Sequence, residues 1–337
     1  MPPFNILESA SPELRTWLLM NGETASFPTE TVLIREGERR PTPMVLLEGR
    51  LNVTTSHQQQ GQEQLSSLTP GCLVGEMSWL EKRPAVATII SSGDCTVLRL
   101  SLQQLEGLDR QQPTLAAQLH RVIAQKLAVQ IQGQNVWAHR LRVQHGPIEP
   151  LRKVLTLFAH LHEQDVFKLA GLGRLRRVQP QTMLLNQGDE VSALYLVLSG
   201  EAEIVFTLGG KPEVVGTSRR GELLGEMSLL LNDQKGASAG VRSSQGMDLL
   251  MLDRSTLVAE LERNPSLAAR FYRGLACMLS RRSREQLLSH QRSVISQLEE
   301  QDGIGSLDVD QLGAITRASR HFDWLCRSFQ SGEPATP

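Results

Sequence analysis

Four glycines recur in the same order twice along this chain of 337 residues. Gly37, Gly49, Gly71 and Gly75 are spaced by 12, 22 and 4 positions, and Gly188, Gly200, Gly221 and Gly225 by 12, 21 and 4. The offset between the two sets is 151 at the start (188 minus 37) and 150 at the end (225 minus 75). The flanks agree: "IREGERRPTPMVLLEGRLNV" parallels "LNQGDEVSALYLVLSGEAEIV", and "PGCLVGEMSWL" parallels "RGELLGEMSLL". Matched glycines in matched surroundings mean two copies of one domain. Gly37, Gly49, Gly188 and Gly200 read as turn residues that take φ > 0.

Each copy reads as a set of short strands. "TVLI", "MVLLEGRLNV", "EQLSSL", "ATII" and "TVLRL" in the first are rich in β-formers and separated by Gly, Pro or polar turns. "TMLL", "LYLVLSGEAEIVF", "EVVGTS", "AGV" and "DLLML" repeat the pattern in the second, and "GLGRLRRV" (171–178) reads as the turn leading into it. Helices flank both sets. "SPELRTWLLM" precedes the first, with Ser11 placed to cap it. A long helix is expected over 113–143, where Leu119, Ile123, Leu127 and Ile131 form an apolar stripe. A helix from Pro150 to about His162 precedes the second set, and another long helix is expected over 265–301. A last amphipathic helix spans 310–329, and the tail "SGEPATP" is expected to be disordered. The fold class is therefore α+β, with two tandem small β-barrels, each flanked by helices, and long connecting helices. The expected divisions are 1–145 and 146–302 for the two copies, then 303–337 for the terminal helix and tail.

Composition narrows the function classes. With 35 Lys and Arg against 36 Asp and Glu, the net charge is −1, which makes no electrostatic case for a nucleic-acid binder. Cys72, Cys95, Cys277 and Cys326 include no CxxC, so neither disulfides nor a zinc knuckle is expected and the thiols read as buried and reduced. His160 and His162 lie two apart on an expected helix, a poor geometry for a chelate. His120 and His139 read as surface or interface residues, not haem ligands. The N-terminus has neither a basic start nor an apolar segment, and no apolar run approaches the length of a membrane span, so the chain reads as cytoplasmic. No nucleophile elbow, Walker loop, HExxH or dinucleotide fingerprint occurs, so no catalytic residues, metal or cofactor are expected.

A strand-built barrel flanked by helices, with Gly-Glu opening a short helix between late strands, resembles the cyclic nucleotide-binding domain family. That family includes regulatory subunits of cyclic-AMP-dependent kinase, catabolite-activator-type regulators and nucleotide-gated channels. The resemblance covers roughly residues 5–140 and 150–300, and the tandem layout is most like the kinase regulatory subunits. It implies a jelly-roll-like fold for each barrel and a phosphate-binding cassette. A helix N-terminus offers free N–H groups to phosphate, Glu accepts from a ribose hydroxyl, and an Arg ten positions after the Gly forks onto phosphate oxygens.

Carried over in sequence register, the first cassette keeps Gly75, Glu76, Ser78, Pro84, Ala87 and Thr88, but has Ala85 where the arginine belongs. Lys82 and Arg83 stand close, though Pro84 aims them elsewhere. The second keeps Gly225, Glu226, Ser228, Ala237 and Ser238, with Gln234 in the proline position and Lys235 in the arginine position. Losing a charge-assisted bidentate pair removes about 1.5–3 kcal/mol, so the first pocket reads as degenerate and the second as the better site for cyclic AMP or cyclic GMP. On the residues alone, Glu76 and Glu226 also read as acids favoured at helix N-termini. The expectation is a non-catalytic regulatory protein, homo-oligomeric through its long helices, that binds neither nucleic acid nor membrane. The alternative is an interaction scaffold in which neither pocket binds a nucleotide. The segment after residue 300 is too short and insufficiently basic for a DNA-binding module.

Overall fold

The computed structural model describes residues 4–57, 61–140, 153–208, 211–231, 236–290 and 309–330. Lys235, the far ends of both expected long helices and the C-terminal tail lie outside them. The chain divides into two units. The first holds residues 1–145 and 279–307, the second 146–278 and 308–337.

In the first unit, α1 (Ile6–Ser9) and α2 (Pro12–Asn21) precede β1 (Glu23–Phe27), β2 (Val32–Ile34), β3 (Met44–Glu48), β4 (Leu51–His57), β5 (Gly61–Leu68) and β6 (Leu73–Val74). Then come α3 (Glu76–Glu81), β7 (Thr88–Ser91), β8 (Cys95–Arg99), α4 (Leu102–Gln111) and α5 (Pro113–Arg140). Ser11 Oγ accepts from the Leu14 N–H at 3.2 Å, which starts α2 as the sequence indicates. All pairings are antiparallel, in two four-stranded sheets ordered β1-β8-β3-β6 and β2-β7-β4-β5. Ile34, Met44, Leu46, Leu51, Val74, Ala85, Ile89, Cys95 and Val97 fill the core.

The second unit repeats the plan. Its elements are α6 (Lys153–Ala159), α7 (Glu163–Leu172), β9 (Arg174–Val178), β10 (Met183–Leu185), β11 (Ala193–Leu208), β12 (Lys211–Arg219), β13 (Leu223–Leu224), α8 (Glu226–Leu231), β14 (Gly240–Asp253), α9 (Arg254–Arg263) and α10 (Pro265–His290). A last helix, α11 (Val309–Gln330), packs on α6. Here all six strands form one sheet, because β11 and β14 run unbroken through the positions where the first copy divides its strands. The difference lies at the second repeated glycine. Gly49 (φ 87°) ends β3, whereas Gly200 (φ 82°) sits at a register shift that β11 passes through.

These antiparallel sheets and helices form a jelly roll. The jelly-roll-like fold that the resemblance implies is thus present, but the barrels are not closed, since each copy's sheets have free edges among the described strands. Two smaller expectations are also corrected. The helix expected to reach His162 stops at Ala159, because the Asp165 carboxylate accepts the His162 N–H at 2.8 Å and starts α7. His120, expected at a surface or an interface, is fully buried within the chain. The stripe Leu119, Ile123, Leu127 and Ile131 is buried within the chain itself.

All four cysteines are buried and free. Burial, reinforced by Asp94, pushes the Cys95 thiol up, and burial also pushes Cys326 up. The native chain should therefore resist a thiol-reactive dye at mildly alkaline pH and titrate four thiols only in denaturant; a fast-reacting native thiol would contradict this burial.

Candidate functional site

The first cassette starts where β6 ends. Gly75 takes φ 82°, and a Cβ there would lie 3.2 Å from the Pro43 Cα and the Thr42 carbonyl oxygen, so the turn into α3 requires glycine. All six residues of α3 are buried. Glu76 is 2% exposed, and its Oε1 accepts a hydrogen bond from Lys126 Nζ on α5. Ser78 is buried beside it in sequence, and Trp79 stacks on His120 with ring centroids 5.6 Å apart. His120 Nε2 in turn meets Asp109 Oδ1 at 2.7 Å.

The helix ends at Glu81, where Lys82 turns left-handed at φ 54°. Glu81 is also ion-paired. Its Oε1 accepts from Ser280 Oγ at 2.5 Å, and its Oε2 accepts from Arg284 Nε at 2.9 Å. Arg83 Nη1 lies 3.8 Å from the same carboxylate. Arg284 Nη1 also donates to the Pro84 carbonyl at 2.9 Å. Ser280 and Arg284 belong to the part of α10 that groups with the first unit. Ala85 sits in the core, bridged to the Gly37 turn. Its N–H donates to Glu38 O at 3.0 Å, and its carbonyl accepts from Gly37 N–H at 2.9 Å. The Thr88 hydroxyl accepts the Glu36 N–H at 3.0 Å.

The second cassette begins identically. Gly225 takes φ 88°, with a Cβ position only 2.7 Å from the Ala193 carbonyl oxygen, and Glu226 and Ser228 are buried on α8. It then departs. Leu231 stands where the first copy has Glu81 (231 minus 81 is 150). After residues 232–235 the chain returns at Gly236, and Ala237 makes the bonds that Ala85 makes in the first copy. Its N–H donates to Asp189 O at 2.7 Å, and its carbonyl accepts from Gly188 N–H at 2.8 Å. Strand register agrees: Ile89 faces Val53, and Val241 faces Ile204.

Ala237 lies 12 positions after Gly225, whereas Ala85 lies 10 after Gly75, so the second cassette is two residues longer. The ungapped carry-over is corrected accordingly. Ala237, not residue 235, occupies the register of Ala85; Ser238 matches Val86 and is exposed; and Gly240 stands in the register of Thr88.

The family model for the cyclic nucleotide-binding domain matches residues 24–112 and 175–264, more than half of the chain. This chain belongs to the cyclic nucleotide-binding domain family. It is similar to "Cyclic AMP receptor protein" of Thermus thermophilus, 40% identical over 112 residues, covering 33% of this chain and 49% of that protein. It is also similar to "Patatin-like phospholipase domain-containing protein 6" of Mus musculus, 24% identical over 242 residues, covering 71% and 15%. A third relative is "cAMP-dependent protein kinase regulatory subunit" of Mycosarcoma maydis, 27% identical over 172 residues, covering 51% and 27%. The chain thus spans half or less of the length of each of these relatives.

Within this cyclic nucleotide-binding pair, the arginine register holds alanine in both cassettes. Sequence reasoning missed Lys126 and Arg284, the cations that meet the first cassette. Both come from helices distant in the chain, and no local spacing announces them. Among the described residues, no group of three or more His, Cys, Asp or Glu is placed to hold a metal ion, and no helix is long and apolar enough to cross a membrane.

Proposed function

We propose that this is a non-catalytic regulatory protein in which the second of its two cyclic nucleotide-binding domains is the ligand-responsive one. The observation that carries this reading is that the first cassette's carboxylates are already engaged by the chain's own cations, Glu76 by Lys126 and Glu81 by Arg284. A nucleotide entering there has to displace an ion pair, and no guanidinium stands at position 85 to hold its phosphate.

In the second cassette Met278 holds the position of Lys126 on the long helix, counting from the prolines that begin each helix (126 minus 113 and 278 minus 265 are both 13), so Glu226, which has an interaction of its own, does not repeat the Glu76–Lys126 ion pair. Gly225, Glu226 and Ser228 build the α8 end of that site, and Lys235 is the cation of the sequence that follows α8. The ligand class is a cyclic nucleotide, cyclic AMP or cyclic GMP, whose binding would shift the packing of the helices that follow. A catalytic role would have to lie outside the features described, even though one relative carries an enzyme's name.

A second reading, an interaction scaffold binding no nucleotide, is favoured by alanine at the arginine register of both copies. Thermal-shift titration separates the two. Saturation to a hundred times the dissociation constant stabilises the binding unit by about 2.7 kcal/mol. The expected result is a shift with millimolar cyclic AMP or cyclic GMP that Lys235→Ala removes and Glu76→Gln leaves in place. No shift with either nucleotide would overturn the sensor reading for those ligands. Assembly through the long helices belongs to the same proposal, and sedimentation of the full chain tests it.

A further inference from the structure

We propose that the first cassette is the receptor for a segment of its own chain, Ser280–Arg284 ("SRRSR"), which docks on Glu81 at the end of α3. This goes beyond the ligand role given to the second domain and does not depend on it.

Three observations converge. Glu81 has a fully buried side chain, and so does its guanidinium partner Arg284, which is 1% exposed. A buried carboxylate persists only when charge and hydrogen bonds are both supplied, and here one helix supplies them from positions four apart, Ser280 and Arg284. The same guanidinium reaches past Glu81 to the Pro84 carbonyl, the residue directly before the vacated arginine register. It therefore reads the cassette loop as well as its helix. A side contact fixes the segment against α5, where Gln130 Nε2 donates to Ser283 Oγ at 2.8 Å.

The recognition belongs to one copy. The position of Glu81 is Leu231 in the second cassette, and on α5 the counterparts of Ser280 and Arg284 are Ala128 and Gln132, counting from Pro113 and Pro265. The chemistry is that of a guanidinium-bearing helix read by a buried acid, with a serine four residues before the arginine.

Hydrogen exchange on the full chain tests this, read at peptides from Glu76–Lys82 and Leu279–Leu288, with α8 as internal control. Arg284→Met leaves Glu81 buried without its guanidinium. Both first-unit peptides should then exchange about a hundredfold faster, the factor expected for breaking a buried pair, with α8 unchanged. Ser280→Asp, which sets a second carboxylate against Glu81, should act in the same direction. Glu81→Gln combined with Arg284→Met removes both charges and should exchange more slowly than Arg284→Met alone.

Exchange within twofold of wild type in Arg284→Met would overturn the proposal. So would single-variant effects that multiply in the double variant, because independent sites combine in that way. If Arg284→Met exposes the whole first unit, the double variant still decides: recovery supports the docking and equal exposure overturns it. The nucleotide titration of the second domain reads a different site, so either result stands without the other.

Discussion

Lys126→Met will lower the stability of the first unit by about 3 kcal/mol, the lower end of the cost of breaking a buried pair by removing one partner. Glu76 is 2% exposed, whereas the side chain of Lys126 keeps 18% of its surface, which sets the lower end of that range. Neutralising both, as Glu76→Gln with Lys126→Met, should recover most of the loss, since the penalty arises from the stranded carboxylate and not from the missing contact. Protection of the β3 and β8 amides in denaturant reads the effect locally, which a two-unit chain requires. A loss below about 1 kcal/mol would mean that the start of α3 satisfies Glu76 unaided, since acids at helix N-termini gain only that much.

Gly200→Val should be costlier still, removing about 4 kcal/mol or more from the second unit and preventing its accumulation as folded protein. A Cβ at position 200 would lie 2.0 Å from the Gly246 carbonyl oxygen and 2.9 Å from the Met247 Cα. Both are backbone atoms, so no rotamer relieves the overlap. The φ of 82° adds left-handed strain of about 1–2 kcal/mol for an L residue. Gly188→Ala is the control. Its φ is 89°, yet a Cβ there meets nothing within 4 Å, so only the strain remains. Chemical denaturation of the two variants should separate them by several-fold in destabilisation. Similar losses would show that conformation alone, without close approach, makes these glycines necessary.

The glycine ladder was legible because each rung answers a local demand. Gly75, Gly200 and Gly225 sit at positive φ where another chain segment approaches closely, and such demands repeat with the domain. The short helix opened by Gly-Glu was legible for the same reason. The cassette's register was not. A two-residue difference in loop length leaves glycine spacing untouched upstream, and only the bonds of Ala85 and Ala237 to the Gly37 and Gly188 turns expose it. Closure of the barrels was misjudged because strand patterns report inward and outward faces but not whether edges meet. Lys126 and Arg284 were hidden for a third reason. They are ordinary cations on amphipathic helices, and their meaning depends on which buried acid the tertiary fold brings to them.

The helix that begins at Pro265 changes allegiance along its length, its residues from Leu279 onward grouping with the first unit. The gene therefore has no clean midpoint at which to be severed. A polypeptide stopping near residue 145 would contain every strand of the amino-terminal jelly roll but would lack two hydrogen-bond donors to an interior acid, which should make it a ready target for proteases.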